Sequence, residues 1–319
     1  MPNRIIVTGG AGFIGSHLVD RLLGNGFEVT VIDNLSSGKI ENINDHATKE
    51  AFHLVRGDIR NYNLVKKAVK EADAIFHEAA MSSWSDSWKS LLDLNQVNIN
   101  GTLTLLKTCI DSNVKRFIYA SSASVYGEAN VQPQHEGLTP KPISPYGVSK
   151  LSAEQFVQVF HKLYGLETIC LRYFNVYGLR QMYGPYSSVI TNFINRMLRN
   201  SRPIIYGDGE QTRDFVNIKD VVDANMIALT TKNAVGKVFN IGTGTATTIN
   251  EVAEILLQTI NKPNLKPTYM NPRLGDIQRS CADIQKARKT LGYDSRITLE
   301  NGLRELVRYI DPTDMPAPR

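Results

Sequence analysis

The sequence predicts an α/β protein built on a doubly wound parallel sheet, with a smaller C-terminal α/β lobe. Three observations carry this prediction. Short apolar runs, mostly β-branched or aromatic and each the length of a buried strand, recur six times before Arg172. Helix-length segments with apolar residues three and four apart lie between them. After Arg172 the alternation stops, and Gly178, Gly184, Pro185, Pro203, Gly207 and Gly209 punctuate the chain.

In order, Ile5–Thr8 opens the sheet, and Val29–Ile32, His53–Val55, Ala74–His77, Phe117–Ala120 and Thr168–Leu171 follow it. Leu18, Leu22 and Leu23 mark the first connecting helix, Leu64, Val65, Ala68 and Val69 another, and Leu103, Leu106 and Ile110 a third. Strand alternating with helix is the signature of parallel crossovers. Two later runs, Phe215–Ile218 and Val238–Ile241, are predicted to return to this sheet. Helices are predicted from Asn250 to about Ile260 and from Leu299 to about Ile310. The chain thus divides into a sheet domain over residues 1–174, rejoined by 211–242, and a lobe made of 175–210 and 243–319.

Composition narrows the class. Of 319 residues, 42% are hydrophobic and 21% charged, which suits a chain that buries a core and excludes disorder. Cys109, Cys170 and Cys281 are too few for a disulfide framework and lack C-x-x-C spacing, so they are expected to be reduced core thiols with no metal site. The chain enters its first strand at Ile5 without a signal-like segment, and no stretch reaches the 18 apolar residues of a membrane helix. A soluble, cytoplasmic protein is expected. Of the net charge of +5, +4 falls in residues 261–319, where bases and acids are interspersed. No basic stripe with aromatic neighbours forms, so no nucleic-acid partner is expected.

The first chemical motif is Thr8-Gly9-Gly10-Ala11-Gly12-Phe13-Ile14-Gly15, directly after the first strand. A pyrophosphate at a helix N-terminus comes into contact with the backbone, and a Cβ at Gly9 or Gly12 would obstruct it. Asp33 ends the second strand 18 residues beyond Gly15, where an acid accepts both adenosine ribose hydroxyls. An acid there repels a 2′-phosphate, so NAD is favoured over NADP. The second motif is Tyr146-Gly147-Val148-Ser149-Lys150. At i and i+4 the two side chains share a helix face, so an ammonium stabilises a phenolate. Ser121-Ser122-Ala123-Ser124 precedes it, after the fifth strand.

These motifs resemble the NAD-dependent epimerase/dehydratase family, the extended branch of the short-chain dehydrogenases/reductases, whose signature TGGAGFIG stands here letter for letter. The resemblance covers residues 4 to about 310 and implies a Rossmann NAD-binding domain. It assigns cofactor contacts to Gly9, Gly12, Phe13, Ile14, Gly15, Asp33, Asn34, Asp58, Ile59, Ala79, Ala80, Asn98, Tyr146, Lys150 and Tyr173. It makes Tyr146 the base, Lys150 its partner and nicotinamide ribose ligand, and Ser122 the holder of the substrate hydroxyl, with Ser124 as a second candidate. In the C-terminal half Arg172–Gly178, Tyr206–Gly209, Thr212–Phe215 and Arg273-Leu274-Gly275-Asp276 are similar to elements that bind a nucleotide diphosphate sugar. Arg213 and Arg273 would meet the diphosphate, Tyr206 the uracil and Asp276 the ribose, with Asn175 and Val189 also on the substrate.

Within that family the sequence is most similar to UDP-hexose 4-epimerases. The resemblance implies that Tyr146 takes the proton of the 4-hydroxyl while hydride passes from C4 to tightly bound NAD, and that hydride returns to the opposite face of a 4-keto sugar. Dehydratases carry an acid pair after the catalytic hydroxyl residue, and UDP-glucuronate decarboxylases usually carry Glu at the second position. Here Ala123 and Ser124 stand there, which leaves epimerisation. Four residues beyond Asp276, where a bulky Tyr excludes an N-acetyl group, stands Ser280. UDP-N-acetylglucosamine and UDP-N-acetylgalactosamine are therefore the expected pair, with UDP-glucose and UDP-galactose as further substrates. A UDP-glucuronate 4-epimerase or decarboxylase is the alternative, because Arg180 would suit a carboxylate. A scaffold that binds NAD without turnover would not need Ser122, Tyr146 and Lys150 together. Trp84 and Trp88 stand where relatives have smaller residues, and either line the sugar pocket or pack between domains. The resemblance also implies a homodimer through helices near 91–112 and 146–163.

Overall fold

The computed structural model describes residues 3–81, 90–181, 188–273 and 275–311. The six predicted strands are β1 (Arg4–Thr8), β2 (Glu28–Asp33), β3 (Phe52–Arg56), β4 (Ala74–His77), β5 (Arg116–Ser122) and β6 (Glu167–Tyr173). With Lys237–Ile241 they form one sheet in the order Lys237–Ile241, β6, β5, β4, β1, β2, β3, every pairing parallel. The order reverses between β1 and β4, so the ligand crevice of this topology opens at the carboxyl ends of those two strands.

Alternate side chains of each strand enter different cores. Ile5 and Val7 join Phe76, Ile118 and Leu171 beneath the helices Phe13–Gly24 and Ile218–Thr230. On the other face Ile6 joins Ile75, Phe117 and Cys170 beneath Tyr62–Ala68, Thr102–Asp111 and Pro145–Tyr164. A third core of Ile190, Phe193, Ile205, Val252, Leu256, Leu303 and Leu306 unites the helices Val189–Leu198, Ile249–Thr259 and Leu299–Ile310. This is the lobe that faces the carboxyl end of the sheet. Its middle helix starts at a reciprocal cap in which Thr248 and Glu251 satisfy each other's backbone amides.

One predicted strand goes elsewhere. Phe215–Asn217 does not return to the main sheet but pairs in parallel with Asn175–Tyr177 in a separate two-stranded ribbon. The reason is that β6 has β5 along one edge and Lys237–Ile241 along the other, so no free edge remains beside it. Trp84, Trp88 and residues 184–187 lie outside the described residues.

The helix leading to β5 is not uniform. Leu91–Asn95 passes through a wider turn, Gln96–Gly101, before Thr102–Asp111 resumes the α-helix. Cys109, Cys170 and Cys281 are buried free thiols, and burial holds each of them protonated by pushing its pKa up. No helix among the described residues is long and apolar enough to cross a membrane.

Candidate active site

A cavity of about 1120 Å³ runs from the carboxyl ends of β1, β2 and β4, past β5 and β6, to the lobe. At one end Gly9, Gly12, Phe13, Ile14, Gly15, Asp33, Asn34, Asp58 and Ile59 line it; Ala79, Ala80, Ser122, Tyr146, Lys150 and Tyr173 line its middle. Asn175, Val189, Tyr206, Arg213, Arg273 and Asp276 line the far end.

The glycines have distinct reasons to be there. Gly9 has φ +69°, and a Cβ on it would lie 2.7 Å from the Ala79 nitrogen, so β1 and the end of β4 approach only without a side chain. A Cβ on Gly15 would sit 2.2 Å from the Gly9 oxygen. Gly12 faces the cavity, where a Cβ would approach the Gly9 oxygen at 3.1 Å. Its missing side chain leaves room beside the N-terminus of the helix Phe13–Gly24, whose free amides attract an anion.

Asp33 is buried and accepts the Ala11 and Leu35 amides at 2.9 and 2.8 Å. Each of its oxygens keeps a further acceptor direction. Asp58, expected at the adenine, is gripped by the Arg60 guanidinium at 2.9 and 2.8 Å, and Asn34 reaches it at 3.2 Å. These Arg60 bonds hold its carboxyl below the usual range. The turn Ser36–Gly38 completes this end and was not singled out from sequence. It is tied down where Lys39 N and Asn42 Nδ2 donate to the Ala11 carbonyl at 3.0 and 2.9 Å.

The sequence Ser144-Pro145 starts the helix that carries Tyr146 and Lys150: the Ser144 hydroxyl accepts the Gly147 amide at 3.1 Å, and Pro145 occupies the first turn. A Cβ on Gly147 would come within 2.6 Å of the Ser124 carbonyl, so the helix lies directly on the serine turn. Lys150 is buried, donates to the Ala120 carbonyl at 2.8 Å, and sits 5.2 and 6.0 Å from the ring centroids of Tyr119 and Tyr146. Burial pushes the Tyr146 phenol up to about 12, against a hydrogen-bonding contribution from the Ser122 hydroxyl. Burial also pulls Lys150 down to about 8. A tyrosinate here therefore depends on positive charge beside it.

Three predicted contacts do not reach the cavity wall. Asn98, in the wide turn, is buried and spends its amide on the Met81 carbonyl at 3.0 Å, the Met81 amide at 2.8 Å and the Ser149 hydroxyl at 2.9 Å. It thus joins the cofactor side to the Tyr146 helix, and Met81 is the residue that faces the cavity. The Ser124 hydroxyl is shut away from solvent without a partner. Ser280 is buried because its neighbours are strapped to the 128–134 loop: Glu128 accepts the Gln278 amide at 2.7 Å and Gln132 the Cys281 amide at 3.1 Å.

At the lobe end the cations already have partners. Arg213 donates to Asp276 and to the Ile277 carbonyl, each at 2.6 Å, and the Arg273 guanidinium covers the Tyr206 ring. Sequence reasoning gave no role to Glu78, Arg60, Asp93 and Gln211, which also line the cavity. Glu78 stands between the strand Ala74–His77 and the expected cofactor contacts Ala79 and Ala80, and its charge was the signal available.

Residues 5–242 match the NAD dependent epimerase/dehydratase family. The chain belongs to that family, and its cofactor is NAD. The UDP-glucose 4-epimerase of Thermotoga maritima, solved with UDP-glucose, superposes with a TM-score of 0.91 at 40% identity, over 97% of this chain and 99% of that one. The UDP-N-acetylglucosamine 4-epimerase of Methanobrevibacter ruminantium, solved with UDP-N-acetylmuramic acid, gives 0.92 at 39% identity over the same shares. The UDP-glucuronic acid 4-epimerase of Bacillus cereus, solved with UDP-glucuronic acid and NAD, gives 0.91 at 35%, again over 97% and 99%. The Gly12 gap, the buried Asp33 and the buried Lys150 on one cavity fit such a dinucleotide.

Proposed function

We propose that this chain is an NAD-dependent UDP-sugar 4-epimerase that interconverts UDP-N-acetylglucosamine and UDP-N-acetylgalactosamine, with UDP-glucose and UDP-galactose as further substrates. The observation that carries the reading is that Ser122, Tyr146 and Lys150 share one cavity with Tyr206, Arg213, Arg273 and Asp276. Gly9, Gly12, Gly15 and Asp33 would hold the dinucleotide's adenosine end, and Lys150 its nicotinamide ribose. NAD, when bound, supplies a hydride acceptor and donor for C4 of the sugar. Ser122 orients the 4-hydroxyl, and Tyr146 takes its proton and later gives it back. Ala123 and Ser124 follow Ser122, so no acid stands there to eliminate water.

For the sugar, the support is the likeness to the UDP-N-acetylglucosamine 4-epimerase of Methanobrevibacter ruminantium, 39% identical over 97% of this chain. A UDP-hexuronate is the second reading, favoured by Arg180 on the cavity wall, although its guanidinium pairs with Asp20 at 2.8 Å. We further read the protein as a homodimer of a reducing compartment such as the cytoplasm. Val148, Phe156, Val159, Leu163 and Tyr164 stand exposed along the Tyr146 helix, with Leu92 exposed on the preceding one, and the thiols are free.

The test is to incubate the purified protein, without added NAD, with each UDP-sugar and follow the anomeric protons by NMR. Galacto-configured product is expected, fastest from UDP-N-acetylglucosamine. A pentose or dehydrated sugar would replace the epimerase reading. Light scattering should give twice the chain mass.

A further inference from the structure

The cavity contains an acid to which the chemistry above gives no part. Glu78 follows β4 at the switch point of the sheet, between His77 and the cofactor segment Ala79-Ala80. Its Oε1 accepts the Tyr173 hydroxyl at 2.9 Å. Asn225, anchored on the Val221 carbonyl at 2.9 Å, donates to the same phenol oxygen at 2.8 Å and offers its Oδ1 to the hydroxyl at 3.1 Å, so Glu78 is the nearer of the two acceptors of the phenol proton. Glu78, Tyr173, Tyr146 and Lys150 all face the same space.

Lys150, by contrast, is a buried ammonium with only a neutral carbonyl and two ring faces around it. Among the described residues it forms no ion pair. A buried charge without a counter-charge is costly and tends to shed its proton. Resting on the epimerase reading, we propose that Glu78 is the positioning counter-ion of Lys150: an anion held on the cavity wall by Tyr173, which keeps the buried ammonium charged and so keeps Tyr146 competent as the base.

The surroundings agree. The other titratable groups around the pair are Tyr146 on the same helix as Lys150, Tyr119 on β5, Tyr173 on β6 and His77 on β4, while Glu154, one turn beyond Lys150, is already paired with Arg172 at 2.6 Å. Burial holds the three tyrosines protonated and His77 neutral. Glu78 is thus the acid whose charge acts on Lys150. Burial pushes Glu78 up to about 7 and Lys150 down to about 8, so the pair is charged together around neutral pH.

The decisive variant is Glu78→Gln, which keeps an acceptor for Tyr173 and removes the charge. Lysine labelled with ¹³C at the ε-carbon, assigned by difference with Lys150→Met, reports the Lys150 titration in the NAD-loaded protein. In Glu78→Gln the Lys150 titration should move down by about one pH unit, and the alkaline limb of kcat should move with it. Tyr173→Phe, which removes the donor that favours the ionised form of Glu78, should move both midpoints in the same direction but by less. Equal Lys150 titrations in wild type and Glu78→Gln, or a rate loss uniform at every pH, would overturn the proposal. A shifted lysine without any turnover would uphold the counter-ion and sink the epimerase reading instead.

Discussion

The Arg273 guanidinium lies over the Tyr206 ring, 3.8 Å from its centroid. Both residues were read from sequence as nucleotide contacts, Tyr206 for the base and Arg273 for the diphosphate. In the structure the cation covers the ring face, an attraction of about 0.5–2 kcal/mol. For a base to stack on that face, Arg273 must swing off it, and a diphosphate nearby gives the guanidinium a better partner.

Arg273→Ala should therefore weaken binding of UDP by about tenfold to a hundredfold, the equivalent of a charged hydrogen bond worth roughly 1.5–3 kcal/mol. The loss should fall on KM, with kcat changed far less, because the diphosphate is remote from C4. Calorimetry with UDP checks it. Arg273→Lys should recover only part of the affinity, since an ammonium cannot make the bidentate contact. An unchanged Kd in Arg273→Ala would remove Arg273 from the nucleotide site.

Glu154→Gln should cost about 3–5 kcal/mol of stability. Glu154 lies one turn beyond Lys150 and is buried with Arg172, whose Nε and Nη2 reach it at 3.0 and 2.6 Å; Ser121 donates to it at 2.6 Å. The change leaves the Arg172 charge buried and uncompensated on the opposite strand. Replacing both by methionine should recover a large part of the loss, because no unpaired charge then remains. Urea unfolding distinguishes the two cases, and a single variant as stable as the wild type would show that water reaches Arg172.

The strands were legible because each is a short apolar run bounded by turn residues, and the glycine turn because its spacing is set by backbone contact at Gly9 and Gly15. Tyr146 and Lys150 were legible because four residues along a helix make one face. The wide turn at Gln96–Gly101 was not, since apolar periodicity does not reveal one extra residue in a helical turn. Asn98 consequently looked like a cofactor contact, whereas the turn aims it at Met81 and Ser149. Phe215–Asn217 misled because an apolar run specifies a strand but not which edge is vacant. Ser280 was placed by counting from Asp276, and counting does not see the 128–134 loop that holds the segment. Glu78 became meaningful only when folding brought Tyr173 and Lys150, distant in sequence, around it.

Acid stability should depend on the buried imidazole of His77. Thr102 Oγ1 donates to the Asn98 carbonyl at 2.6 Å, so at 2.8 Å from His77 Nε2 it must accept. Nδ1 then accepts from Thr8 Oγ1 at 2.8 Å, which fixes the neutral Nε2–H tautomer in the core. Burial holds the folded pKa of His77 at about 3, against 6.5 for an ordinary imidazole. The unfolded chain thus binds a proton that the folded one refuses. The stability this contributes is full above about pH 6.5 and is lost as pH falls toward 3, by up to about 1.4 kcal/mol per pH unit. Glu78 acts in the opposite sense, because its folded pKa is raised from 4.5 to about 7. Its contribution is full below 4.5 and is lost as pH rises through 7, so the two offset each other between about 4.5 and 6.5. Acid destabilisation from these groups should accordingly set in only below about pH 4.5. In Glu78→Gln it should begin already near 6.5, where His77 starts to titrate unopposed in the unfolded chain. His77→Gln should be less stable at neutral pH by about 1–3 kcal/mol through its broken bonds to Thr8 and Thr102, yet flatter below pH 4.5. Urea unfolding at a series of pH values checks both slopes, and parallel acid limbs for wild type and His77→Gln would mean that the imidazole is protonated in the fold.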